Sequence, residues 1–259
     1  MMLRNSYAFV DALHDDVNKV RVKPRYDTDI SDHLSDENKF MESWRRQTSR
    51  EKSILSDLFV GVQRSTLHCM DCGNQRCTFD AFWDLSLPIP VHSTDPNRRI
   101  HLEECLKLYC DKEVLDGDNK VTCNYCRKRT SQQKWLQIEK FPQILVLHLK
   151  RFVETSNTYH IKSDNIHKNL STVQFPLTRL SLECTTDKEI PPTYNCYAVA
   201  NHCGNRGGGH YTAFCRHSTE DKWIMYSDER VSSLSSLTSV VSANAYILFY
   251  ERTNPTSHL

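Results

Sequence analysis

Glycine is scarce in this sequence: 259 residues hold seven, where average usage would give about eighteen. Four of the seven (Gly204, Gly207, Gly208 and Gly209) fall within six residues, so backbone freedom is concentrated at one place. An excess of one charge is also missing, with 33 Lys and Arg against 32 Asp and Glu. That balance argues against a dominant electrostatic hold on nucleic acid or on a membrane surface, which needs a basic excess on one face. The longest apolar run, Ala245 to Tyr250, is far short of the roughly 20 residues of a membrane span. No secretory leader is expected, because Asp11, Asp15 and Asp16 follow Met1 too soon for an apolar h-region. At 39% apolar and 10% aromatic residues, the chain has enough to build a core, which excludes global disorder.

What is present in quantity is cysteine, eleven in all. Without a leader, a disulfide scaffold is not expected in a chain this long. The thiols are expected to stay reduced in the cytosol or nucleus, as metal ligands, core residues or reactive groups.

Val10, Leu13, Val17 and Val20 recur at helical spacing and predict an amphipathic helix over residues 3–20. Residues 21–52 read as a solvated excursion whose Phe40, Met41 and Trp44 form either a short packed helix or a loop with an aromatic anchor. Leu102, Leu106 and Tyr109 mark a short helix, while Trp135–Ile138 and Leu145–Phe152 read as strands. The last third reads as an antiparallel meander over Tyr194–Ala200, Tyr211–Arg216, Trp223–Ser227 and Ala245–Tyr250. Together these give an α+β chain.

Cys69-Met70-Asp71-Cys72 and Cys123-Asn124-Tyr125-Cys126 are both C-x2-C. That spacing lets two thiolates on one tight turn face a single tetrahedral ion, with Gly73 and Arg127 following the turns. Two such knuckles make a structural zinc site of four cysteines with no open position. Fifty residues separate the pairs, against about 15–20 in a compact ribbon, so a long insertion is required. The other reading is two chance pairs in a cysteine-rich chain.

The glycines lead into His210-Tyr211-Thr212-Ala213. A phosphate loop would continue into Gly-Lys-Ser/Thr and a helix; here a strand follows. Backbone without side chains beside a histidine suits a narrow channel for another chain, with His210 as a general base. A flexible glycine-rich turn is the alternative. Ser227 closes a strand running back antiparallel, so Ser227 or Asp228 could reach the His210 ring and fix its tautomer.

Six segments then occur in the order seen in the ubiquitin-specific proteases, a papain-like cysteine peptidase family that the chain resembles from about Val10 to Tyr250. They are Cys69–Gly73, Phe82–Pro88, the Cys123/Cys126 pair, Leu145–Phe152, Gly208–Ala213 and Ala245–Tyr250. The resemblance implies a papain-like fold with thumb, palm and zinc-bearing fingers. Residues 1–252 would form a partial catalytic domain: 1–20 the last thumb helix, 53–140 mainly fingers, 141–252 mainly palm, with 253–259 a tail. It also implies thiol-dependent hydrolysis of the bond after the C-terminal Gly of ubiquitin, with ubiquitin and ubiquitinated proteins as partners. His210 matches the general base. Ser227 stands where the family usually has Asp or Asn, with Asp228 at the acidic position after it. Gly207, Gly208, Gly209 and Tyr211 match the wall of the channel for ubiquitin's Gly-Gly tail, and Cys69, Cys72, Cys123 and Cys126 match the zinc ligands.

The family's cysteine box has no counterpart in these 259 residues, and the thumb is largely missing. Cys203 lies nearest His210 in sequence, but it reads as a partly buried, inert thiol on the glycine loop. The remaining six cysteines read as packing residues. The expectation is a truncated product or incomplete gene model of an active deubiquitinase, inactive as written. The alternative is a truncated pseudoenzyme that binds ubiquitin without cleaving it.

Overall fold

The computed structural model describes residues 12–90, 99–154, 166–184, 191–205 and 207–253. The helices are α1 (residues 12–17), α2 (Asp36–Arg50), α3 (Ile54–Phe59) and α4 (Leu102–Cys110). The first nine strands are β1 (Gly61–Cys69), β2 (Gln75–Phe82), β3 (Leu85–Pro88), β4 (Ile100–His101), β5 (Glu113–Leu115), β6 (Val121–Cys123), β7 (Lys128–Thr130), β8 (Gln132–Lys140) and β9 (Ile144–Lys150). Then follow β10 (Phe152–Glu154), β11 (Ile166–Lys168), β12 (Val173–Gln174), β13 (Leu180–Ser181), β14 (Thr193–Asn205), β15 (Gly208–Arg216), β16 (Trp223–Ser227), β17 (Arg230–Ser233) and β18 (Ala245–Arg252). The architecture is α+β, as the sequence implied. No helix among the described residues is long and apolar enough to cross a membrane.

The chain divides into two compact units, each discontinuous in sequence. The first comprises Met1–Trp83, Cys110–Gln143 and Thr185–Glu189. Its sheet has the order β2-β1-β8-β5, and β6 and β7 form a separate hairpin. Helix α2 settles the choice left open for residues 36–50. Ser35 caps its N-terminus by accepting from Asn38 N, and Asp36 and Glu37 fill the first turn, where the helix dipole favours carboxylates. Its Phe40 and Trp44 pack on Val62, Cys77 and Phe79 of the sheet. Asp36 is fixed from the sheet by an ion pair with Arg64 and by Cys77 Sγ at 2.9 Å.

Helix α1 departs from expectation. Leu13 and Val17 are exposed, whereas His14 and Asn18 are buried; residues 3–11 of the expected helix lie outside the described residues. Hydrogen bonds dock it in place of an apolar stripe. His14 Nδ1 lies 2.8 Å from Ser53 Oγ, its ring meets Trp83 edge-on, and Asn18 Oδ1 accepts from Val20 N and Lys52 N.

The second unit comprises Asp84–Tyr109, Ile144–Cys184 and Ile190–Leu259. Its main sheet runs β17-β16-β15-β14-β18-β9-β3, with β13 added beside β14. The expected meander is present from β14 to β17, and β18 returns to the far side of β14. Strand β9 is flanked by parallel β3 and antiparallel β18; its Leu145, Leu147 and Leu149 are fully buried on one face, while on the other Val146 is buried and Ile144 and His148 only half-buried. Cys110 and Cys184 are disulfide-bonded, which corrects their reading as reduced packing residues; the other nine cysteines are free.

The residue after β9 is Arg151, with 0% exposure. Its guanidinium donates to three carbonyls: Ala245 O at 2.6 Å, Asn169 O at 3.0 Å and Ser171 O at 2.8 Å. Burial pulls its pKa down to about 10. Arg151→Met keeps the apolar stem and strips three carbonyls of their donor, one at a buried bond and two at part-buried ones. At about 1–3 kcal/mol for a buried unsatisfied group, a loss of at least about 1 kcal/mol in urea-unfolding free energy is expected.

Candidate functional site

The two cysteine pairs form one cluster within the first unit. Gly73 and Arg127, the residues after each pair, both adopt left-handed backbone, with φ of 72° and 56°. Gly73 N donates to Cys69 O and Arg127 N to Cys123 O, so both knuckles close by the same turn. Sγ atoms of Cys69 and Cys126 lie 3.9 Å apart and those of Cys72 and Cys123 3.8 Å apart. All four lie within 4.8 Å of one another. A tetrahedral ion with zinc–sulfur bonds of 2.3 Å needs sulfur edges of about 3.8 Å, so the donor set fits zinc with no position left for water. The Thr130 hydroxyl beside Cys69 draws its thiol down to about 6. Cys126, crowded by the other sulfurs, with Cys72 foremost, is pushed up to about 12.

The glycine–histidine segment is a hairpin in the second unit. Strand β14 continues to Asn205 and β15 begins at Gly208, with Gly204 opposite Gly209 and Cys203 opposite His210. A Cβ on Gly204 would lie 2.5 Å from Gly208 O, and one on Gly209 would lie 2.4 Å from Cys203 O and 2.5 Å from His202 Nε2. Only glycine fits at those two positions. Gly207 and Gly208 differ: a Cβ at Gly208 would meet nothing within 4 Å, so space beside them is open. Cys203 is a strand residue and exposed, not a half-buried loop thiol; the hairpin is tighter than a glycine-rich sequence suggests.

His210 Nε2 lies 2.8 Å from Ser227 Oγ, the partnership expected from strand, turn and returning strand. With Nε2–H donating to the serine oxygen, Nδ1 carries the lone pair and is the ring's basic atom. Asp228 addresses that other nitrogen, with Oδ2 3.9 Å from Nδ1. Its backbone is left-handed at φ 49°, in the two-residue turn between β16 and β17 that Asp tolerates. The serine therefore orients the ring, while the carboxylate, highly exposed, brings only a strongly screened charge beside Nδ1.

Beneath the hairpin lies an aromatic and histidine cluster that sequence reading missed. Between Ala200 and Asn201 the pairing with β18 skips Tyr246, a bulge that re-aims its ring. The Tyr246 ring stands 4.9 Å from His148 and 5.7 Å from His202, and Tyr211 lies 4.6 Å from His202. His148 Nδ1 is bonded to Ser86 Oγ, which also donates to Asp84. Burial lowers the pKa of both histidines, with Lys168 adding to the shift at His202.

A family model for ubiquitin carboxyl-terminal hydrolase matches residues 7–250. Ubiquitin carboxyl-terminal hydrolase 2 of Gallus gallus is 45% identical over 96% of this chain and 67% of its own length. The Homo sapiens protein of that name is 41% identical over 96% of this chain and 40% of its own length. The chain thus spans about two-fifths to two-thirds of the length of these relatives. Among solved structures, the SAGA Ubp8/Sgf11/Sus1/Sgf73 DUB module bound to ubiquitin aldehyde matches with a TM-score of 0.65 and 29% identity, over 84% of this chain and 47% of that chain.

The buried histidines fix a pH response. Below about pH 6.5 the unfolded chain binds protons that neutral His148 and His202 refuse in the fold. Stability contributed above pH 6.5 is therefore lost as pH falls, by up to about 1.4 kcal/mol per pH unit for each histidine. Urea midpoints measured from pH 7.5 to 5.5 should fall, and a His148→Gln/His202→Gln double variant should show a flatter profile.

Proposed function

The chain belongs to the ubiquitin carboxyl-terminal hydrolase family, and from that premise we propose that it serves thiol-dependent hydrolysis of the bond after the C-terminal Gly of ubiquitin. The observation that carries the reading is the 2.8 Å contact of His210 Nε2 with Ser227 Oγ. It leaves Nδ1 as the base that takes a proton from a thiol and later returns one to the leaving amine. Asp228 Oδ2 stands 3.9 Å from that nitrogen. The open backbone at Gly207 and Gly208, with Tyr211 behind, gives an extended Gly-Gly tail room to pass close to His210. Ubiquitin and ubiquitinated proteins are the partners, in the cytosol or nucleus. Residues 53–140 act mainly as fingers and 141–252 mainly as palm.

Cys69, Cys72, Cys123 and Cys126 would hold a structural zinc ion. Its chemistry is that of a closed tether, joining the two knuckles and taking no part in hydrolysis.

No cysteine in these 259 residues matches the family's nucleophile. Cys203 faces His210 across the hairpin, but it sits on a strand, without the helix N-terminus that stabilises a thiolate. The chain by itself therefore binds ubiquitin and leaves conjugates intact, since loss of a triad nucleophile costs several orders of magnitude in rate. With a fluorogenic ubiquitin substrate no turnover above background is expected. Turnover abolished by His210→Ala would overturn the inactivity, and its loss in Cys203→Ala would name the nucleophile. Calorimetric titration with ubiquitin should give measurable binding; none at high micromolar concentration would count against the ubiquitin reading itself.

A further inference from the structure

Two buried polar side chains stand behind the cysteine cluster, and neither the sequence motif nor the family match accounts for them. Thr130 ends β7 and Gln132 begins β8, with exposures of 2% and 4%. Thr130 Oγ1 lies 3.3 Å from Cys69 Sγ. Gln132 Nε2 donates to Thr130 Oγ1 at 3.3 Å and to Val121 O at 3.0 Å. No other side-chain hydroxyl among the described residues bonds to Cys72, Cys123 or Cys126, so one sulfur of the four is singled out.

The direction of the chain of hydrogen bonds follows from donors and acceptors. Val121 O is an acceptor only, so it fixes the Gln132 amide with its nitrogen inward, and that nitrogen can only donate. Thr130 Oγ1 accepts the amide proton on one lone pair; toward Cys69 it accepts from a thiol or, where the sulfur carries no proton, turns its own hydroxyl proton to Sγ. A sulfur that ligates a metal is a thiolate, an acceptor without a proton. In the metal-bound state the hydrogen bonds therefore run from Gln132 to Thr130 to Cys69, with every member satisfied. These residues are buried at a point where an unsatisfied hydroxyl would be costly.

We infer that Thr130, oriented by Gln132, is a positioning residue for a metal ion held by the four cysteines, donating its hydroxyl proton to the Cys69 thiolate. The inference rests on the zinc reading of the cluster and adds residues that hold a ligand in place without touching the ion. Such supporting hydrogen bonds typically change metal affinity by about 10–100-fold.

The test uses the zinc-loaded chain challenged with a chromophoric chelator, and the cobalt(II)-loaded chain followed by its sulfur-to-cobalt absorption. Thr130→Val, which keeps shape and removes the hydroxyl, should retain four-thiolate cobalt absorption while losing zinc about 10-fold or more readily. Thr130→Ser should restore near-native affinity. Native affinity in Thr130→Val, or equal weakening in Thr130→Ser, would overturn the inference by reducing Thr130 to a packing residue. Should Thr130→Val not fold, Gln132→Met serves in its place: it frees the hydroxyl to turn away and should weaken zinc binding several-fold, and native affinity there is equally fatal. A native chain that takes up neither metal would fail differently, removing the zinc reading and this inference with it.

Discussion

A guanidinium with no exposed surface has to be met by acceptors from whatever chain surrounds it, and Arg151 recruits them from segments remote in sequence. Asn169 and Ser171 precede β12, and Ala245 opens β18. One side chain thus fixes where β18 enters the sheet, between β14 and β9. The entry point sets the register of β14 and β18, including the bulge at Tyr246. That register determines which residues of β14 face the glycine hairpin. Because the partners are neutral carbonyls, little opposing charge offsets the burial of the cation, which is the sense of its lowered pKa.

The hairpin built on this frame works by close approach. Gly204 and Gly209 let two backbones and the His202 ring occupy space that any side chain would claim, and this fixes the start of β15 just before His210. The ring of His210 is then held from β16, through Ser227, so the two residues sit on adjacent strands of one sheet. Division of labour between Ser227 and Asp228 follows from the turn. The serine ends a strand and points with the sheet, while the aspartate occupies a left-handed position and swings to the other ring nitrogen.

Much of this was legible in the sequence, for identifiable reasons. The cysteine pairs were readable because C-x2-C carries its own geometry; the left-handed backbone of Arg127 is not written in its residue type. His210 and Ser227 were readable because a strand, a turn and a returning strand bring such residues together. Helix α2 was only half legible: its Phe40 and Trp44 gave a weak stripe, and the capping Ser35 with acidic neighbours was the stronger signal. The polar docking of α1 was hidden because the partner of His14 lies 39 residues on. Cys203 opposite His210 was hidden because a glycine cluster reads as a loose loop, when the glycines in fact permit an unusually tight one. Asp228 near Nδ1 depended on a backbone angle that residue type alone does not fix.

The separation of the knuckles also bears on the unfolded chain. Cys72 and Cys123 are 51 positions apart, and the stretch between them leaves the first unit at Trp83 and rejoins it at Cys110. On the way it contributes β3 and α4 to the second unit. An ion that joins the knuckles would close this stretch into a ring. In the chain-entropy picture used for covalent crosslinks, a ring of that size removes about 4 kcal/mol of disorder from the denatured ensemble. A clasp seated wholly in one unit thereby narrows the conformational freedom of segments that fold into the other.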